Sequence, residues 1–203
     1  MGANLDSVPD REKVLAKKKT NTCRLLFLAV NWERKGGKIA FETLLELKKR
    51  DIKARLTVIG CVPPSDFHDP DLIVIPFLNK NNPQERAELE NQLLDADFLI
   101  LPTRAECCAV VYAEASAYGL PIITTDTGGI AGAVKEGING FMLPLEAGGT
   151  VYAEKIAEIF QSDQLYYSLV KNSREVYEHI INWDTWAMEL KKILPALMVR
   201  AQE

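Results

Sequence analysis

The sequence predicts an α/β protein built on a doubly wound parallel sheet. Short, near-continuous apolar runs such as Arg24 to Val30 have the composition of strands covered on both faces. Amphipathic helical stretches alternate with these runs, and parallel strands need crossovers of that kind. The chain of 203 residues, 47% hydrophobic, is most simply one such domain with a sizeable core.

In chain order, residues 1–22 read as a linker or tail and residues 23–203 as the domain. The first strand, Arg24 to Val30, leads into a helix from about Gly37 to Arg50, with Ala40, Phe41, Leu44 and Leu47 on one stripe and charges opposite. Ala54 to Ile59 is a second strand, closed by Gly60. Cys61 to Asp71, with Pro63, Pro64 and Pro70, reads as a loop before a short third strand, Leu72 to Ile75. Asn82, Pro83 and Glu85 supply the N-cap, first-turn proline and third-position acid of a helix whose Leu89 and Leu93 face inward.

The fourth strand is Phe98 to Leu101, followed by a helix that carries Glu114 and ends at Gly119; the fifth is Pro121 to Thr124. Gly128-Gly129 and Gly137 to Gly140 read as turns. From Val151 the chain is helical to its end. Tyr152, Ile156, Ile159 and Phe160 form one stripe, and Tyr166, Leu169, Val170, Val176, Tyr177 and Ile180 another. A third helix after Trp183-Asp184 carries Trp186, Leu190, Ile193 and Leu197, and Pro195 is expected to kink or weaken it.

Composition excludes several partners. A net charge of −4 offers no basic excess for nucleic acid, and the one basic run, Lys17-Lys18-Lys19, reads as a solvated lead-in. No apolar stretch has the length of a spanning helix and the polar N-terminus is no signal peptide, so a soluble, cytoplasmic chain is expected. The four cysteines, at 23, 61, 107 and 108, form no Cys-x-x-Cys pair, and His68 and His179 stand far apart. The cysteines read as reduced packing residues, with no metal site.

The candidate site centres on Glu106 and Glu114. They flank the start of the helix that follows the fourth strand, where an open α/β sheet binds nucleotides and a helix start favours phosphate. A carboxylate on each side of such an anion site can accept hydrogen bonds from sugar hydroxyls. Spacing alone makes the pair a weak pattern. Its setting is more specific: Leu101-Pro102-Thr103-Arg104-Ala105-Glu106 before, then Glu114 through Gly119-Leu120-Pro121 to Gly128-Gly129, then Gly137-Ile138-Asn139-Gly140-Phe141-Met142-Leu143-Pro144. A second anchor is Trp32-Glu33-Arg34-Lys35-Gly36-Gly37, between first strand and first helix.

These motifs resemble the C-terminal, donor-binding half of a GT-B glycosyltransferase of the retaining family 4, over about Arg24 to Trp186. The resemblance implies a Rossmann-like fold and a nucleotide-sugar donor, with UDP-, GDP- and ADP-sugars all open, and neither cofactor nor metal. It implies that Glu114 accepts hydrogen bonds from the ribose hydroxyls and that Glu106 contacts the transferred sugar. The backbone N–H groups of Cys107, Cys108 and Ala109 would meet the pyrophosphate. Lys35, with Arg34, would add positive charge where the leaving diphosphate gathers negative charge. Arg34 stands in for an arginine that the family usually carries just after the first strand, where this chain has Val30 and Asn31. Asp95-Ala96-Asp97 matches the Asp-x-Asp of metal-dependent transferases of another fold, but its place at a helix end before a buried strand makes it structural.

The resemblance also implies an N-terminal acceptor-binding half, supplied by a longer chain or a partner subunit, without which transfer is not expected. Two other classes remain open: a GT-B sugar-nucleotide epimerase, which needs further acids or bases, and a non-catalytic nucleotide- or partner-binding module. A dinucleotide oxidoreductase is disfavoured because no Gly-x-Gly-x-x-Gly follows the first strand.

Overall fold

A strand apolar on both sides of its pleat is stable only where both faces of the sheet are covered, and Phe98–Leu101 and Ile122–Thr125 are buried at every residue. The structure, a computed structural model, describes residues 2–5, 7–107 and 110–200, the last six by backbone alone. Its strands are β1 (Cys23–Leu28), β2 (Ala54–Ile59), β3 (Leu72–Ile75), β4 (Phe98–Leu101), β5 (Ile122–Thr125) and β6 (Gly140–Leu143). They form one parallel sheet in the order β3-β2-β1-β4-β5-β6. The helices are α1 (Arg11–Leu15), α2 (Gly37–Lys49), α3 (Pro83–Asp95), α4 (Val110–Ala117), α5 (Gly149–Gln161), α6 (Asp163–His179) and α7 (Trp183–Arg200).

The expected doubly wound parallel sheet is thus the observed one, with the predicted strands and helices within a few residues of their expected ends. Helix α2 packs on α5 and α4 on α6, burying Leu44, Leu47, Tyr152, Ile156 and Ile159 on the predicted stripes. Asn82 caps α3 as predicted, its side chain accepting from the N–H groups of Gln84 and Glu85. Glu85 itself accepts from Asn79 N–H at 2.7 Å. Helix α4 ends in the pattern expected of a left-handed glycine. Gly119 has φ +65°, its N–H donates to Ser116 O at 3.0 Å, and Leu120 N–H donates to Ala115 O at 3.0 Å.

Three features differ from the reading of the sequence. Strand β6 was expected as part of a glycine turn, but only Gly137 to Asn139 turn; Gly140–Leu143 pairs with β5 as the sheet edge, where its two middle residues are half-buried. The lysine run is not solvated throughout: Lys17 donates to Ala96 O at the end of α3, and Lys19 to Phe160 O at 2.6 Å at the end of α5. At both positions a lysine side chain donates to carbonyls left unpaired at a helix end. Helix α7 continues through Pro195 to Arg200, but Trp186 and Ile193 of its expected stripe are about half exposed rather than in the core, and the side chain of Leu197 lies outside the described ones.

Residues ahead of the sheet are fastened to it at several points. Val14 on α1 is buried, and Ala3 packs with Ala113, Val176 and Ile181. The indole of Trp183 donates to Ala3 O at 2.9 Å, and buried Arg174 donates to Pro9 O at 2.9 Å and to Ala117 O at 2.6 Å. Among the described residues no helix is long and apolar enough to cross a membrane.

Candidate functional site

From β1 the chain winds outward to β2 and β3 on one side, then returns to start β4 on the other, so the order reverses between β1 and β4. A crevice opens there beyond the carboxyl ends of the strands. The loops after β1 and β4 join above it. Arg104 N–H donates to Arg34 O at 2.8 Å, Arg34 donates to Ala105 O at 3.3 Å, and buried Thr103 donates to Arg34 O at 3.3 Å. These bonds fix the turn carrying Arg34 and Lys35 against the loop carrying Glu106.

The far side of that loop is held by Gly128-Gly129. Gly129 N–H donates to Glu106 O at 3.1 Å. Gly128, at φ +57°, lies so close that a Cβ there would stand 1.9 Å from Glu106 O, so only glycine allows this approach. The diglycine motif therefore seats Glu106. Behind it, Tyr112 and Thr124 share a buried hydrogen bond of 2.8 Å, and Thr124 donates to Leu101 O at 2.7 Å, locking α4 to β4 and β5.

Between the β1 and β4 loops lies a cleft of about 440 Å³. Its walls include Leu28, Ala29, Val30, Ile59, Gly60, Phe77 and Leu78, and its charged residues are Arg34, Lys35, Lys80, Glu106 and Glu114. A second, more open hollow of about 630 Å³ shares Arg34 and Glu106 and is completed by Ala105, Cys107, Thr127, Gly128 and Gly129. Glu106 thus stands between this cleft and the more open hollow.

Each carboxylate is paired with a lysine from another strand's loop. Lys35 donates to Glu106, and both side chains are about nine-tenths buried. Lys80, from the loop after β3, donates to Glu114 Oε1 at 2.5 Å; the Glu114 side chain is 6% exposed. The sequence-predicted residues Arg34, Lys35, Glu106 and Glu114 are therefore brought together. Arg34 is exposed at the mouth and Cys107 is exposed beside Glu106. Cys108 and Ala109, expected to offer N–H groups to a pyrophosphate, lie outside the described residues.

Lys80 was missed by sequence reasoning. The available signal was modest: it is the first cation after β3, at the same end of the sheet as Lys35. Asp97 is held as a structural residue at the opposite end. Its buried carboxylate accepts from Arg24 N–H at 2.8 Å, from the Arg24 guanidinium at 3.0 and 3.1 Å, and from Tyr166 OH at 3.0 Å. Among the described residues no cluster of three or more histidine, cysteine or acidic side chains is placed to hold a metal ion.

Comparison with known proteins gives this geometry a family. The chain is 27% identical over 180 residues to the provisionally named colanic acid biosynthesis glycosyltransferase WcaL of Escherichia coli K12, covering 81% of this chain and 43% of that protein. The chain thus spans less than half the length of this relative. Its fold superposes on Alr3699/HepE of Anabaena, solved in complex with UDP-glucose, with a TM-score of 0.70 at 14% identity, over 93% of this chain and 54% of that one. It also superposes on the C-terminal domain of the glycosyl transferase group 1 protein LpcC of Francisella tularensis, with a TM-score of 0.59 at 18% identity, covering 82% of this chain and 90% of that domain. Residues 22–162, well over half of the chain, match the family described as glycosyl transferases group 1, and the chain belongs to that family.

Proposed function

We propose that this chain is the donor-binding half of a retaining glycosyltransferase of family 4, taking a nucleotide sugar in the crevice between the β1 and β4 loops. One observation carries the reading: Glu106, Glu114, Lys35 and Arg34, chosen from separate sequence motifs, line one cleft at the topological switch point. Its apolar walls suit a nucleoside, and Glu114 on the inner wall suits the ribose hydroxyls. The sugar then lies toward the open hollow beyond Glu106, whose carboxylate accepts from its hydroxyls. Lys35 and Arg34 lie nearest the diphosphate, where their charge offsets the negative charge that builds on the leaving group. This assignment uses the chain's own cations and requires neither metal nor cofactor.

The acceptor falls to an N-terminal half, in a longer chain or a partner subunit; the 43% and 54% coverages of WcaL and HepE support that division. Holding an acceptor in line with the donor supplies far more of the rate than any one hydrogen bond. The 203-residue chain alone should therefore bind donor without transferring it. The test is thermal unfolding with UDP, GDP, ADP and their sugars. A ligand at 100 times its dissociation constant stabilises by about 2.7 kcal/mol, a rise of roughly 5–10 °C for a domain of this size. Unchanged melting with every nucleotide at millimolar concentration counts against a donor site.

A further inference from the structure

The charges in the cleft point past the residues already assigned. A diphosphate entering it must approach two buried carboxylates, Glu106 and Glu114, and like charges repel strongly where water is scarce. Arg34, Lys35 and Lys80 supply three positive charges against those two negative ones, so the cleft is net positive only with all three cations present. Lys35 already compensates Glu106. Glu114 has Lys80.

Lys80 is also presented by a braced loop. Asn82 N–H donates to Asn79 O at 2.9 Å, Asn81 N–H to Asn79 Oδ1 at 3.0 Å, and Asn79 N–H to Glu85 on α3 at 2.7 Å. Lys80 Nζ bonds Asn4 O at 3.3 Å as well as Glu114 Oε1, so the ammonium is held from two sides. It takes one lone pair of Oε1, and among the described residues no donor occupies Oε2. A ribose diol needs an ionised carboxylate fixed in one orientation, and charge-assisted hydrogen bonds depend on both conditions.

We propose that Lys80 is a positioning residue for nucleotide recognition, which orients Glu114 toward the ribose diol and cancels its repulsion of the diphosphate. This rests on the donor-site reading above. It assigns to the β3–α3 loop a part in selecting ribonucleotides. Lys80 acts through Glu114 and through charge, without contacting the reacting atoms.

The test compares wild type, Lys80→Met and Lys80→Arg, each checked for native circular dichroism. Affinities are measured by calorimetry for UDP, GDP and ADP and for their 2′,3′-dideoxy counterparts. For the nucleotide that binds wild type, Lys80→Met should weaken affinity at least fivefold and reduce the preference for ribo over dideoxy form. Lys80→Arg should keep most of both. A structural role alone would not alter that preference. Unchanged affinity and preference in Lys80→Met would overturn the proposal, as would tighter binding, which would make Lys80 an obstacle that the ribose displaces. If wild type binds none of the nucleotides, the donor-site reading falls and this inference falls with it.

Discussion

At the scale of single residues, the site is a set of charges whose partners differ in burial and in origin. Glu114 is 4% exposed on α4, whereas Glu106 sits in a loop seated by Gly128 and Gly129. That difference predicts a division of labour. Hydrogen bonds to a charged acceptor contribute about 1.5–3 kcal/mol each, so Glu114→Ala should weaken nucleoside diphosphate and sugar nucleotide alike by about tenfold or more. Glu106→Ala should cost markedly more with the sugar attached; calorimetry that finds equal losses on free diphosphate for both variants would refute the division. Both glutamates were legible in the sequence because Leu-Pro-Thr and Gly-Gly segments frame them and serve local backbone needs that a sequence displays. Lys80 was not legible. Its partner lies 34 positions away, and a long-range ion pair leaves neither periodicity nor motif.

At the scale of elements, local signals were readable wherever backbone chemistry dictates residue type. Strands β4 and β5 are buried at every residue and β1 at all but Arg24 and Leu28, and α3 and α4 carry side-chain and glycine caps that sequence shows directly. Strand β6 escaped notice because an edge strand of four residues between a glycine turn and Pro144 has too little pattern to separate from its turn. Caps make a prediction at this scale. Asn82→Ala removes the acceptor for Gln84 and Glu85 N–H and should destabilise the fold by about 1 kcal/mol. The same change loosens the start of α3, which braces Lys80, so nucleotide affinity should fall with stability. Gly119→Ala should lower stability further, since φ is +65° and the new Cβ would meet Val14 at 2.6 Å. A denaturation midpoint equal to wild type for Gly119→Ala would contradict that account.

At the scale of the whole molecule, the doubly wound architecture followed from alternation alone, but the fastening of residues 2–5 and 7–19 did not, because it relies on isolated side chains reaching backbone carbonyls. One of these has a consequence for pH. Burial pushes the Lys17 amine down to about 7, well below the usual lysine value near 10.4. Between those values the unfolded chain binds a proton that the folded chain has released, so stability should rise with pH. The rise should be visible from pH 7 to about 8.5. Above that range the Cys23 thiol, held protonated by burial, works in the opposite direction. Lys17→Met should flatten the rise in urea titrations; identical profiles for variant and wild type would mean that the amine stays charged in the fold.

The same fastening sets where related enzymes can be recombined. A chimera spliced at Cys23, the first residue of the sheet, would part Trp183 from Ala3 O, Arg174 from Pro9 O and Lys80 from Asn4 O. It would also replace Val14 in its buried seat against Gly119. A crossover that keeps these contacts leaves Ala3, Asn4, Pro9 and Val14 joined to the sheet, so the unit that folds together reaches well ahead of its first strand.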